Sequence, residues 1–205
     1  MLCFSHPNWV DPFLFVAFWP DRPRLLVFGP REEDMSVGWR NRLLSWSGLA
    51  VPFKPSRADL LDTTRRAVGA LRDGYVLSIA GEGRLSDREG EIVPLYDGAA
   101  YFALRAQVPI LPVAVIGTRW LSFGKRVTVR AGAALPTTGL RADRAGVNLM
   151  MERISSSIEV MLKGVPDEPP PGPFGRWLTD LFADRPWLDD PDWMNRGRRP
   201  PSAVG

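Results

Sequence analysis

Short apolar runs alternate with amphipathic stretches along most of this chain, and that alternation limits its fold more than any other feature. Leu2-Cys3-Phe4-Ser5, Leu25 to Phe28, Leu49 to Phe53, Tyr75 to Ile79 and Ile110 to Ile116 have strand character. Turn residues such as Gly29-Pro30 close them. Between them Pro12 to Trp19, Val37 to Trp46, Ala58 to Arg72 and Gly98 to Gln107 read as helices. Ala58 to Arg72 sets Leu61, Ala67, Val68 and Leu71 on one face, with Asp59 and Asp62 early and Arg72 late, as the helix dipole favours. Arg126-Val127-Thr128-Val129-Arg130 alternates as a half-exposed edge strand would, and a long helix from Asp143 to Lys163 closes the body. Strands alternating with helices predict an α/β layered fold: a mixed, largely parallel sheet flanked by helices.

The chain has 205 residues, 45% of them hydrophobic, enough for one core of ordinary size. No stretch approaches the roughly 18 consecutive apolar residues of a spanning helix. The longest, Phe13 to Trp19, ends at Pro20-Asp21-Arg22. The start lacks the pattern of a secretory leader, so the cytoplasm is the expected compartment. One cysteine, Cys3, excludes an intramolecular disulfide. Its place three residues before His6 leaves two readings, a thiol–imidazole pair and a buried strand residue, the second being the commoner fate.

Net charge is +3; residues from Pro166 onward hold seven acidic and five basic side chains, which leaves the body at +5. A mildly basic body suits anionic lipid or phosphorylated substrates, and equally a protein without a charged partner. The basic residues are scattered, with no run interleaved by aromatics, so nucleic-acid binding has little support. Nine of the twenty prolines follow Val165, beginning with the segment Pro166 to Pro173. The chain therefore divides into a body, residues 1–165, and a Pro- and Trp-rich tail, residues 166–205. In the tail Trp177, Leu178, Leu181 and Phe182 form a short apolar face, followed by Trp187 and Trp193. Two readings stand for it: an interfacial lipid anchor, or a flap packing its aromatics onto the body. Gly197 to Gly205 reads as disordered.

The only histidine is His6, so chemistry that needs an imidazole must use it. Asp11 is five residues on. In a helix the two would point about 140° apart, so they meet only if Pro7-Asn8 turns the chain. A strand ending at Ser5 and a helix beginning near Asp11 would then set the carboxylate behind the ring, leaving one ring nitrogen free as a base. A second cluster, Gly81-Glu82-Gly83-Arg84, follows a strand; its glycines permit close backbone approach to a ligand, and Arg84 can fork onto phosphate or carboxylate.

Taken together, these blocks resemble a known family. Ser5-His6-Pro7-Asn8-Trp9-Val10-Asp11-Pro12 resembles the first motif of the PlsC-like glycerolipid acyltransferases, the 1-acylglycerol-3-phosphate acyltransferase family. Gly48 to Lys54 is similar to the second motif, Ala80 to Ser86 to the third (Pro-Glu-Gly-Thr-Arg), and Val108 to Val113 to the proline-bearing fourth. The likeness runs from about Leu2 to Gly132. It implies the glycerol-3-phosphate acyltransferase-like αβ layered fold over residues 1–165. It also implies acyl transfer to a lysophospholipid hydroxyl, with acyl-CoA or acyl carrier protein as co-substrate, no further cofactor and no metal. By this resemblance His6 would be the general base, Asp11 its orienting acid, and Glu82, Gly83, Arg84 and Lys54 the acceptor-binding residues. The site would work at the inner face of the cell membrane, the protein being peripheral there.

Three departures stand out, the first two of which leave the acceptor head group open. Gly81 replaces the usual proline, Arg84 comes one place early, and Lys54 stands for arginine. Family members also carry membrane-binding or helical sequence ahead of the histidine motif, where this chain has five residues. Either the start lies upstream, or Phe13-Leu14-Phe15 with Trp19, or the tail, supplies the membrane contact. Two other functions remain open: a lipid-binding protein without turnover, and a thioester hydrolase in which His6 activates water.

Overall fold

A computed structural model of the chain describes residues 1–31, 38–53, 57–86 and 88–182. The strands are β1 (Leu2–Phe4), β2 (Leu25–Arg31), β3 (Ala50–Phe53), β4 (Val76–Ala80), β5 (Leu111–Ile116) and β6 (Thr128–Ala131). The helices are α1 (Asp11–Phe18), α2 (Gly38–Ser47), α3 (Arg57–Arg72), α4 (Gly98–Ala106), α5 (Arg144–Leu162) and α6 (Pro173–Asp180). They form one six-stranded sheet in the order β3-β2-β4-β1-β5-β6, parallel except for β6, which pairs antiparallel with β5. The mixed, largely parallel sheet is as expected.

Three residues are enough for β1 because it lies between two partners. Leu2, Cys3 and Phe4 are each 2% exposed or less, and their side chains alternate between the two faces of the sheet. Cys3 enters the larger core with Leu71 of α3, Ala103 of α4 and Ile154 of α5. Leu2 and Phe4 enter a smaller core on the opposite face with Phe15 of α1, Leu25, Val113 and Val115. Of the segment Phe13-Leu14-Phe15, Phe15 is buried; Leu14 and Trp19 pack against that smaller core, the Trp19 indole donating to Pro23 O at 2.7 Å, while Phe18 of the same helix is 84% exposed. An eight-residue helix has one face to bury, and here the sheet takes it.

β1 and β4 sit side by side in register, Phe4 beside Ala80. Beyond their carboxyl ends the chain departs to opposite faces, toward α1 after β1 and toward α4 after β4. Such a divergence opens a crevice at the carboxyl edge of a parallel sheet. His6 follows β1 and Glu82 follows β4 at that edge.

β6 is the edge strand expected, but Val129 is 49% exposed, so its apolar side chain does not face the core. The tail differs more. Its described part, up to Phe182, lies docked on the body, with α6 beginning at Pro173 inside the segment read as a linker. Trp187, Trp193 and Gly197 to Gly205 lie outside the described residues.

Candidate active site

The turn that brings His6 to Asp11 is closed by the residues between them. Asn8 Oδ1 accepts Val10 N–H at 3.1 Å, Asn8 O accepts Asp11 N–H at 3.1 Å, and Asp11 Oδ2 accepts Asn8 N–H at 2.9 Å. Pro12, in the first turn of α1, needs no N–H partner there. The result aims Asp11 back at the imidazole: His6 Nδ1 lies 2.9 Å from Asp11 Oδ2, with Asp11 fully buried. Phe4 sets its ring edge-on to the imidazole, 5.5 Å between centroids, and Phe15 braces Phe4 at 4.8 Å. Hydrogen bond and packing together fix the ring. Nδ1 is committed to the carboxylate, and Nε2 has no hydrogen-bond partner among the described residues. The geometry is that of a base oriented by an acid.

The Glu82 turn holds the same histidine by its main chain. His6 N–H donates to Glu82 Oε1 at 3.2 Å, and His6 C=O accepts Ser86 N–H at 2.8 Å. The circuit closes through the Ser86 hydroxyl, which donates to Glu82 Oε2 at 2.7 Å; Val93 N–H reaches the same oxygen at 3.4 Å. Glu82 is 1% exposed. Burial raises its carboxyl pKa, and the bonds from Ser86 and the His6 backbone pull it back. Expected as an acceptor-pocket residue, Glu82 instead spends its carboxylate on internal donors and shapes the site from behind.

Gly83 turns with φ +63°, a conformation that favours glycine, and an added Cβ would strike the Tyr96 ring at 2.8 Å. Arg84 is half-buried and Leu85 is buried, so of these two side chains the arginine is the more open to solvent. Lys54 lies outside the described residues. Ser86 carries a structural role at the site that sequence alone did not assign: a short polar residue after a turn signals only local capping, whereas Ser86 N–H reaches the His6 carbonyl from the far end of another strand.

Cys3 is the buried strand residue, 0% exposed, with its thiol pushed up to about 12 by burial first and by Glu82 second. Its Sγ explains the missing proline. A Cβ at position 81 would come within 2.9 Å of Cys3 Sγ and 3.0 Å of Leu95, and a proline would also lose the Gly81 N–H bond to Phe4 O.

Residues 1–116, which include His6, Asp11, the Glu82 turn and β5, match the family model described as Acyltransferase. The chain belongs to the Acyltransferase family. In fold, the chain is similar to the crystal structure of the 1-acyl-sn-glycerophosphate (LPA) acyltransferase PlsC from Thermotoga maritima, with a TM-score of 0.58 and 17% identity. That match covers 79% of this chain and 64% of the Thermotoga chain.

Proposed function

We propose that this acyltransferase moves a fatty acyl group from acyl-CoA or acyl carrier protein to a lysophospholipid hydroxyl, 1-acylglycerol-3-phosphate being the best candidate, at a membrane surface. The observation that carries the reading is the His6–Asp11 pair at 2.9 Å, held at the carboxyl edge of the sheet beside the Glu82 turn. The acceptor hydroxyl loses its proton to His6 Nε2 as its oxygen attacks the thioester carbonyl carbon. Asp11 stabilises the imidazolium. Collapse of the tetrahedral intermediate breaks the C–S bond, and the departing thiolate takes the proton back. A placed base contributes about 10²- to 10⁴-fold, the remainder coming from positioning and oxyanion stabilisation. Arg84, on the solvent side of its turn, pairs with the acceptor phosphate. The departures at Arg84 and Gly81 bear on head-group choice more than on the proton transfer.

The test is to incubate protein with labelled acyl-CoA or acyl carrier protein, with and without lysophosphatidate, beside His6→Ala. Acceptor-dependent product lost in the variant supports transfer. Free fatty acid without acceptor would point to hydrolysis, and silence from wild type to a lipid-binding protein. Arg84→Ala is expected to raise the acceptor KM; an unchanged KM would remove Arg84 from its role.

A further inference from the structure

Helix α6 is docked inside out. Gly175 and Thr179 face the body and are buried, whereas Phe174, Trp177 and Leu181, at i, i+3 and i+7, are 53%, 55% and 38% exposed. The buried side is fastened by polar and close backbone contacts. Thr179 Oγ1 accepts Leu121 N–H at 2.8 Å and donates to Gly175 O at 2.7 Å, and Gly175 lies against Pro171 and the Leu121 carbonyl. In water an amphipathic helix buries its apolar stripe. This one shows it.

The stripe is one end of a longer aromatic ridge. Phe123, 84% exposed, stacks on Phe174 at 5.6 Å, and Phe174 meets Trp177 at 5.5 Å. Beyond α6, Phe182 packs edge-on against Trp39 at 5.3 Å. The ridge is tied down. Asp167 accepts Glu89 N–H at 3.1 Å and pairs with Arg119, Glu168 pairs with Lys125, and the buried Glu89 carboxylate accepts Gly117 N–H at 2.7 Å. Phe123 belongs to the loop that leaves the carboxyl end of β5. Since β5 is parallel to β1 and adjacent to it, that loop and His6 lie on one edge of the sheet.

We propose that the ridge Phe123–Phe174–Trp177 with Leu181 is the surface by which this protein lies on an anionic phospholipid bilayer. Two observations select lipid. Exposed Arg126 and Arg176, neither in an ion pair among the described residues, flank rings of the kind that settle at the boundary between acyl chains and head groups. Of the neighbouring acids, Asp167 and Glu168 are paired with Arg119 and Lys125, and exposed Asp180 at the end of α6 offsets one of the two arginines, which leaves a small positive surplus beside the ridge. The ridge also rims the edge where an amphiphilic acceptor must reach His6, so the choice of a lipid partner rests on the acyl-transfer reading.

The full chain is sedimented with vesicles of phosphatidylcholine and phosphatidylglycerol. The variants are Phe123→Ser alone, Phe123→Ser/Phe174→Ser/Trp177→Ser, and Arg126→Glu/Arg176→Glu. Wild type is expected to partition onto the vesicles, and the triple variant about tenfold or more less, for the loss of buried aromatic area. Phe123→Ser, in a loop, gives a smaller loss without threatening the helix, and the charge variant loses its dependence on phosphatidylglycerol and salt. Turnover of a short-chain, monomeric acceptor is measured in parallel and is expected within about twofold of wild type. That assay tests the transfer reading by itself, because it needs no vesicle. Wild type that fails to partition, or serine variants that bind as wild type does, would overturn the ridge. So would concentration-dependent self-association lost in the variants, which would make a second copy the occupant.

Discussion

Glu82 Oε1 accepts the backbone N–H of His6 at 3.2 Å, joining the two turns at the carboxyl ends of β1 and β4. Side-chain and main-chain restraints on His6 therefore come from different places, the ring from Asp11 and the peptide from Glu82 and Ser86. The Ser86 hydroxyl is the link that can be cut most cleanly. Ser86→Ala is expected to lower kcat about fivefold, the worth of one hydrogen bond near 1 kcal/mol, with the acceptor KM unchanged. Ser86→Thr should restore it. A fall in Tm with kcat intact would reduce Ser86 to a purely structural role.

Asp11→Asn keeps the shape of the turn but removes the charge facing His6 Nδ1. We expect a loss of about 10²-fold or more in kcat at neutral pH, with circular dichroism and Tm close to wild type. Asp11→Ala should cost stability as well, about 1–3 kcal/mol, because Asn8 N–H loses the oxygen it donates to. Retained kcat in the asparagine variant would show that the acid does not serve the base.

Cys3 and Gly81 are expected to be coupled. Gly81→Ala puts a methyl group against Cys3 Sγ and should destabilise by about 1–3 kcal/mol, the usual cost of overpacking. In a Cys3→Ala background the same change should cost less, by about 0.5 kcal/mol or more. Additive denaturation free energies in the four-protein cycle would remove the steric account of the missing proline. Iodoacetamide should leave the native thiol unmodified and label it on unfolding, as a pKa of about 12 and full burial require.

Burial raises the carboxyl pKa of Glu82, and likewise that of Glu89. A carboxyl that holds its proton more tightly folded than unfolded favours the native state at low pH. Its contribution is complete below the ordinary value of 4.5 and is lost as pH rises through the folded pKa. Glu82→Gln cannot ionise and so escapes that loss. Measured by urea denaturation, its stability relative to wild type should increase as pH rises above about 4.5. A difference that stays flat with pH, or falls, would contradict the sign. Asp167, held below its usual range with Arg119 bonded to it, acts at lower pH and in the opposite sense: its contribution is lost as the solution is acidified.

Much of the fold was legible because it is local. The 3.6-residue period of Ala58 to Arg72 and the apolar run of Ile110 to Ile116 each specify an element from neighbouring residues alone, although Leu61, expected on one face with Ala67, Val68 and Leu71, is 67% exposed while those three are buried. The turn at Pro7-Asn8, with a carboxylate to close it, fixed how His6 and Asp11 meet, since all its bonds fall within six residues. Strand order is another matter. That β1 lies between β4 and β5 depends on which faces the helices cover, and this order brings the Glu82 carboxylate against the His6 backbone. The tail shows the same division. Its residues encode a helix with an apolar stripe, but whether that stripe turns inward depends on what the body offers. Leu121 offered a backbone N–H, which satisfied Thr179 and left the rings outside. Periodicity places side chains around one element; the partner each face meets is decided by contacts distant in sequence, which no local pattern contains.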